Sequence, residues 1–154
     1  MVSGRLVAVI VVGVSTLTAC ANQQVGVLTQ FPCPGNGAIC EVGVTVDLVG
    51  STCEPRLLDN SQKTLVMPAR EHNIVIRWVL DRRSQASYEF QDDGFELKSD
   101  PMTQFPAFGA IMGGKAYQVV NRNKDRKSYA YNLLVHKKGS TQVCKLDPFI
   151  NNVN

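Results

Sequence analysis

Histidine occurs twice in 154 residues and tryptophan once, and that scarcity removes several kinds of chemistry at the outset. His72 and His136 belong to no short ligand motif, so an imidazole-based metal centre has nothing to be built from. No Cys-x-x-Cys pair occurs, and the cysteine spacings match no zinc ribbon or finger. There is no Gly-x-Ser-x-Gly elbow to expose a nucleophile. Gly113-Gly114-Lys115 lacks both the spacing of a phosphate-binding loop and its following Ser or Thr. Asp92 and Asp93 are neighbours in a turn-forming stretch, where carboxylates bond to backbone, and neighbours cannot flank a glycosidic bond from two sides. The chain is expected to be no enzyme and to use no metal and no other cofactor.

Charge of one sign and long apolar runs are also missing. Sixteen basic residues face thirteen acidic ones, a net charge of +3, which is no signature of a nucleic-acid partner. Arg122, Lys124, Arg126, Lys127, Lys137 and Lys138 hold the excess and read as solvated hairpin ends. The apolar run over residues 6–14 falls short of the ~20 residues that cross a bilayer. With Arg5 ahead of it, the run has the layout of a secretory signal. It closes on Leu17-Thr18-Ala19-Cys20, which resembles the lipobox of bacterial lipoproteins. That resemblance implies a diacylglycerol on the Cys20 thiol, cleavage after Ala19 and acylation of the new amino group. Two or more acyl chains anchor stably, each buried methylene contributing about 0.8 kcal/mol. Residue 21 is Ala rather than Asp, which by the sorting rule of enteric bacteria favours the outer membrane, facing the periplasm. The expected division is a signal at 1–19, a lipid-anchored tether at 20–32 and one domain at 33–154, since the mature chain is long enough for one core and too short for two.

Four cysteines remain beyond Cys20: Cys33, Cys40, Cys53 and Cys144. An even number in an exported chain reads as disulfides, and three pairings are possible. Pro34-Gly35-Asn36-Gly37 can bring Cys33 to Cys40, which leaves Cys53 for Cys144.

Periodicity of two recurs along the mature chain, and no stretch shows an amphipathic helix. Val42, Val44, Val46 and Leu48 mark a half-buried strand, ended by Gly50-Ser51, with Cys53 in the connection that follows. A short run at 64–67, stopped by Pro68, reads as an edge strand. Residues 73–80 carry Ile74, Ile76, Trp78 and Leu80 on one face and Val75 and Val79 on the other, so this strand belongs mid-sheet with Trp78 as core anchor. Tyr88 and Phe90 lead into a hairpin turn at Asp92-Asp93-Gly94 and a return over 95–97. Further strands are expected at 117–120, at 129–137 with Tyr129, Tyr131, Leu133 and Val135 on one face, and at 142–146. The fold class is all-β: a single antiparallel β-sandwich of seven or eight strands with two disulfides.

Trp78 on a central strand, Asp93-Gly94-Phe95, Tyr129-x-Tyr131 and the closing Asp147-Pro148-x-Ile150-x-Asn152 resemble uncharacterised bacterial sandwich domains of cupredoxin-like type, with an immunoglobulin-like sandwich as the neighbouring reading. Blue-copper members of that fold use a late Cys…His…Met cluster. Here Lys145-Leu146-Asp147-Pro148-Phe149 follows Cys144, and the copper loop is absent.

Residues 98–115 show no period and form the longest irregular segment. Phe105, Phe108, Ile111 and Met112 within it are candidate contacts for a protein partner in the envelope. The functional expectation is a non-enzymatic, membrane-anchored protein-binding or assembly module. One alternative is an inhibitor of an envelope-degrading enzyme, because Gly113-Gly114-Lys115-Ala116-Tyr117 resembles the Ser-Gly-x-x-Tyr loop of lipoprotein lysozyme inhibitors, with Gly113 in the serine position. Another is weak binding of copper(I), by Met102 and Met112, or of another metal.

Overall fold

The structure is a computed structural model that describes residues 30–98 and 103–153. Cys20 and Met102 lie outside the described residues. Among the described residues twelve strands follow one another: β1 (Gln30–Pro32), β2 (Cys40–Val49), β3 (Thr52–Leu57), β4 (Thr64–Val66), β5 (Ile74–Leu80), β6 (Tyr88–Glu89), β7 (Phe95–Leu97), β8 (Ala107–Ile111), β9 (Ala116–Asn121), β10 (Ser128–Lys137), β11 (Val143–Leu146) and β12 (Phe149–Asn151). They form two sheets with a shared core. Five strands run in the order β3-β2-β5-β9-β8, and seven gather around β10, with β1-β4-β12 and β11 on one side of it and β6 and β7 on the other.

β5 is the spine of the five-stranded sheet. Ile74, Ile76, Trp78 and Leu80 are buried, while Val75, Arg77 and Val79 are half-buried on the outer face, as expected of a mid-sheet strand with polar cover on one side. Against that inner face β10 sets Tyr129, Tyr131, Leu133 and Val135. Trp78 lies 5.3 Å from the Tyr131 ring by centroids, and Phe95 lies 5.0 Å from Tyr131 and 5.5 Å from Phe105, the tilted spacing that aromatic quadrupoles favour. Burial pushes the Tyr131 hydroxyl well above its ordinary pKa, because a phenolate cannot be solvated there.

The all-β class and the two-layer arrangement are as expected; the purely antiparallel layout and the seven or eight strands are corrected. β2 pairs in parallel with β5, and β4 pairs in parallel with both β1 and β12. After the β2–β3 hairpin the chain crosses to the other sheet for β4, then returns beside β2 in β2's own direction. A period of two reports which face is buried and says nothing of strand direction. Cys53, expected in a connection, belongs to β3, which reverses through Gly50-Ser51 with Gly50 at φ 62°. Pro55 is tolerated in β3 because that strand is a sheet edge. β4, expected at an edge, lies between β1 and β12.

The hairpin at Asp92-Asp93-Gly94 is also corrected. β6 and β7 both run antiparallel to β10, so the chain does not reverse between them. The turn is an excursion within one edge, and Leu134 N donates to Gly94 O inside it (2.9 Å). Gly94 is needed for close approach rather than positive φ, since a Cβ there would stand 2.8 Å from the Tyr117 ring. β11 and β12 are likewise one strand in unbroken register on β10, interrupted at Asp147-Pro148, where proline has no N–H to give. Pro148 still accepts from Tyr131 N (3.3 Å).

Disulfides join Cys33 to Cys40 and Cys53 to Cys144, with Cα atoms 5.1 and 5.5 Å apart. Each runs between sheets. Cys33 follows β1 and Cys40 opens β2; Cys53 is in β3 and Cys144 in β11. Among the described residues no helix is long and apolar enough to cross a membrane.

Candidate partner-binding site

Residues 98–115 are not irregular throughout, which corrects their reading as a loop. β8 occupies 107–111 and forms a hairpin with β9 through Met112, Gly113 and Gly114, all at positive φ (55°, 64° and 78°). Gly113 and Gly114 take that conformation without strain, whereas Met112 holds it at a cost; the glycines also hid β8 from the period. The four candidate contacts therefore separate. Phe105 is fully buried, its ring edge-on to Tyr129 at 5.2 Å, and is core. Phe108 is 40% exposed and Met112 63% exposed, while Ile111 is half-buried.

Among the described residues β8 is the last strand of its sheet, with β9 as its one neighbour. Its five residues, Ala107-Phe108-Gly109-Ala110-Ile111, carry no charge and no proline. Phe108 pairs with Val119 on the core side and reaches Phe95 at the margin (6.3 Å), while Ala107 and Gly109 pair with Val120 and Gln118 on the outer face. Phe108, Ile111 and these four residues line a shallow depression of about 240 Å³. Arg77 Nη2 donates to Gln118 Oε1 at 3.0 Å beside it. An edge of this kind can accept an extended segment by backbone pairing, with side-chain contacts supplying selectivity.

The remaining candidates are placed elsewhere and apart. His136 is nearly buried on β10, its Nε2 3.0 Å from Asp93 Oδ1; His72 Nδ1 lies 3.3 Å from Asn123 O at the opposite end of the sandwich. Tyr117, the tyrosine of the inhibitor-like loop, is fully buried and donates to Asp92 O at 2.9 Å. Burial first, then the Asp92 and Asp93 charges, push its pKa up to about 12. Lys137 and Lys138 stand at a hairpin end, between β10 and β11, as expected; Arg122, Lys124, Arg126 and Lys127 instead occupy the crossing from β9 to β10, which connects the two sheets. Among the described residues no group of three or more His, Cys, Asp or Glu side chains is placed to hold a metal.

Sequence reasoning missed a polar cluster at that crossing. Asn121, Asn123 and Asn152 are buried. Asn121 Nδ2 donates to Asn152 Oδ1 (2.7 Å), Asn123 N donates to Asn121 Oδ1 (2.9 Å), and Asn123 Nδ2 reaches Pro68 O and Glu71 O (2.9 Å each). Asn152 Nδ2 donates to Asp125 Oδ1 at 3.1 Å, and Asp125 Oδ2 accepts from Tyr129 and Gln104. The cluster ties three connections together. Asparagines in polar loops give no sequence signal that separates this from solvated turns.

No protein-family model matches the chain, and no curated protein matches it.

Proposed function

We propose that this chain is a non-enzymatic bacterial lipoprotein, anchored through acyl chains on Cys20 in the cell envelope, in the outer membrane facing the periplasm. Its sandwich, of cupredoxin-like or immunoglobulin-like type, binds a protein partner along the β8 edge. The observation that supports the binding role is the uncharged strand β8, paired on one side only among the described residues, with Phe108 and Ile111 at the depression beside it. Soluble monomers block such edges with charge, proline or cover, and β8 carries neither charge nor proline.

The anchoring is tested by metabolic labelling with a fatty-acid analogue, which marks the wild type and is lost in Cys20→Ser. The binding is tested by recovering partners of the acylated protein from its own envelope, beside Ala107→Lys. Ala107 is exposed, so the lysine leaves the melting temperature unchanged while it blocks the edge. Loss of a partner with the fold intact is the expected result; an unchanged set of partners overturns β8 as the site.

A further inference from the structure

The two edges of the five-stranded sheet differ in chemistry. β3, at one edge, carries Glu54, Pro55 and Arg56, the charges and proline that keep a strand from pairing further. β8 carries none of these, and the charge beside it comes from the connection between β6 and β7. A Cβ placed on Gly109 would stand 3.8 Å from Asp92 Oδ1, so a carboxylate lies beside the middle residue of the strand. Asp92 is exposed, and the Tyr117 hydroxyl that holds it donates to its backbone O. Among the described residues no donor occupies its carboxylate. Asp93, next in the chain, is taken up by His136 Nε2 at 3.0 Å. Glu89 adds a third acid by the β8–β9 turn, its Cβ 3.0 Å from where a side chain on Gly114 would begin. Against these stand Lys115, which follows the turn, and Arg77, whose guanidinium is engaged by Gln118 Oε1 at 3.0 Å and lies 3.9 Å from Glu41. A chain of net charge +3 is thus acidic where its β8 edge opens.

We propose that the β8 edge selects a basic partner: an extended protein segment, otherwise uncharged, whose lysine or arginine lies opposite Gly109 and pairs with Asp92. The inference rests on the reading of β8 as the docking edge and names the chemistry of what docks there. Strands pair about 4.8 Å apart, a separation that the stem of a lysine or arginine spans. Because Gly109 has no side chain, nothing on β8 stands between that cation and the carboxylate. Backbone pairing holds an added strand with little regard to its sequence, and the side chains it carries decide which segment is kept. The Asp92 carboxylate, bonded to nothing in the fold, supplies that choice for a cation at the cost of no existing bond. A segment with Asp or Glu at the same position brings two carboxylates together and is rejected. The outer face of β8 asks only for small or apolar neighbours, since Ala107, Gly109 and Ile111 line the depression there with Gln118 and Val120.

The test follows hydrogen exchange at the β8 amides of the full chain with three capped heptapeptides at millimolar concentration: Thr-Val-Thr-Lys-Thr-Val-Thr and the versions with Gln or Glu at the centre. Protection in the order Lys, Gln, Glu is the expected result, with the Lys peptide ahead of the Gln peptide by about fivefold in affinity, the size of one favourable ion pair near the surface. Asp92→Asn should bring the three peptides together and Asp92→Lys should reverse their order. Both variants should melt with the wild type, since the exposed carboxylate supports no bond of the fold. Equal protection by the three peptides, or an order that Asp92→Asn leaves unchanged, overturns the selection by Asp92 and leaves the β8 edge standing. Failure of all three to protect β8 overturns the edge and the selection together.

Discussion

Asn152 is 2% exposed although it sits among the last residues of the chain. Its side chain accepts from Asn121 and donates to Asp125, and its N–H donates to Lys127 O at 2.9 Å. Removing one member of such a buried set leaves the others dehydrated and unbonded, which costs more than the net contribution of a hydrogen bond. Asn152→Ala should lower stability by about 2 kcal/mol in urea unfolding, and pairing it with Asn121→Ala should cost clearly less than the two single changes added. Additive losses would show that the two asparagines do not act as a unit. Asp81 makes a second prediction at this scale. Partial burial opposes its ionisation, yet Ser84 N and Thr45 Oγ1 donate to it (2.8 and 3.1 Å) and Arg83 lies near, so its pKa is lowered from 3.8 overall. A lowered carboxylate stabilises the fold above its unfolded pKa, and that contribution is lost as pH falls through the folded value. Asp81→Asn should therefore melt below wild type at pH 7, by the equivalent of roughly 1 kcal/mol, and the gap should close as the pH falls through the folded value, which lies below 3.8. A gap that persists in acid would assign the effect to shape rather than charge.

Phe105 and Phe108 stand three residues apart on one element and its approach, and they face different surroundings. Phe105→Ala empties a fully buried site between Phe95 and Tyr129 and should cost about 3–5 kcal/mol. Phe108→Ala trims a side chain 40% exposed at a sheet edge and should cost roughly 1 kcal/mol, with its larger effect on partner recovery. Similar losses of melting temperature for the two would return Phe108 to the core and weaken the edge as a binding site. The sequence separates these residues poorly. Gly109 and the Gly113-Gly114 turn break the period in which β8 could have been recognised, whereas β5 and β10, with unbroken apolar alternation, are legible in position, face and centrality. Direction and order were not legible at all. The parallel β2–β5 pair follows from a crossing to the other sheet between them, and no local pattern encodes it. Gly94 illustrates the same limit: Asp-Gly reads as a reversal because glycine accepts positive φ, but the packing of Tyr117 uses it for its missing side chain.

The two sheets of the molecule are joined by both disulfides, and the sequence separations of 7 and 91 residues predict unequal consequences. In the chain-entropy description the short loop contributes about 2.5 kcal/mol and the long one about 4.5. The difference is sharpened by what each bridge holds. Cys33–Cys40 ties β1 to β2 beside a turn in which Asn36 N already donates to Glu71 Oε1 at 2.7 Å, so noncovalent bonds keep that connection in place. Cys53–Cys144 ties the edge strand β3 to β11 and fixes the tip at Leu48 and Val49 against Val143, where Gln142 to Ser51 is a single exposed hydrogen bond. Replacing Cys33 and Cys40 by alanine should lower the melting temperature moderately. Replacing Cys53 and Cys144 should cost nearly twice as much stability, because that bridge closes the longer loop and braces the β2–β3 hairpin against β11. Equal losses from the two pairs, measured by chemical denaturation, would mean that the loop entropy of the long bridge is offset by structure the unfolded chain retains.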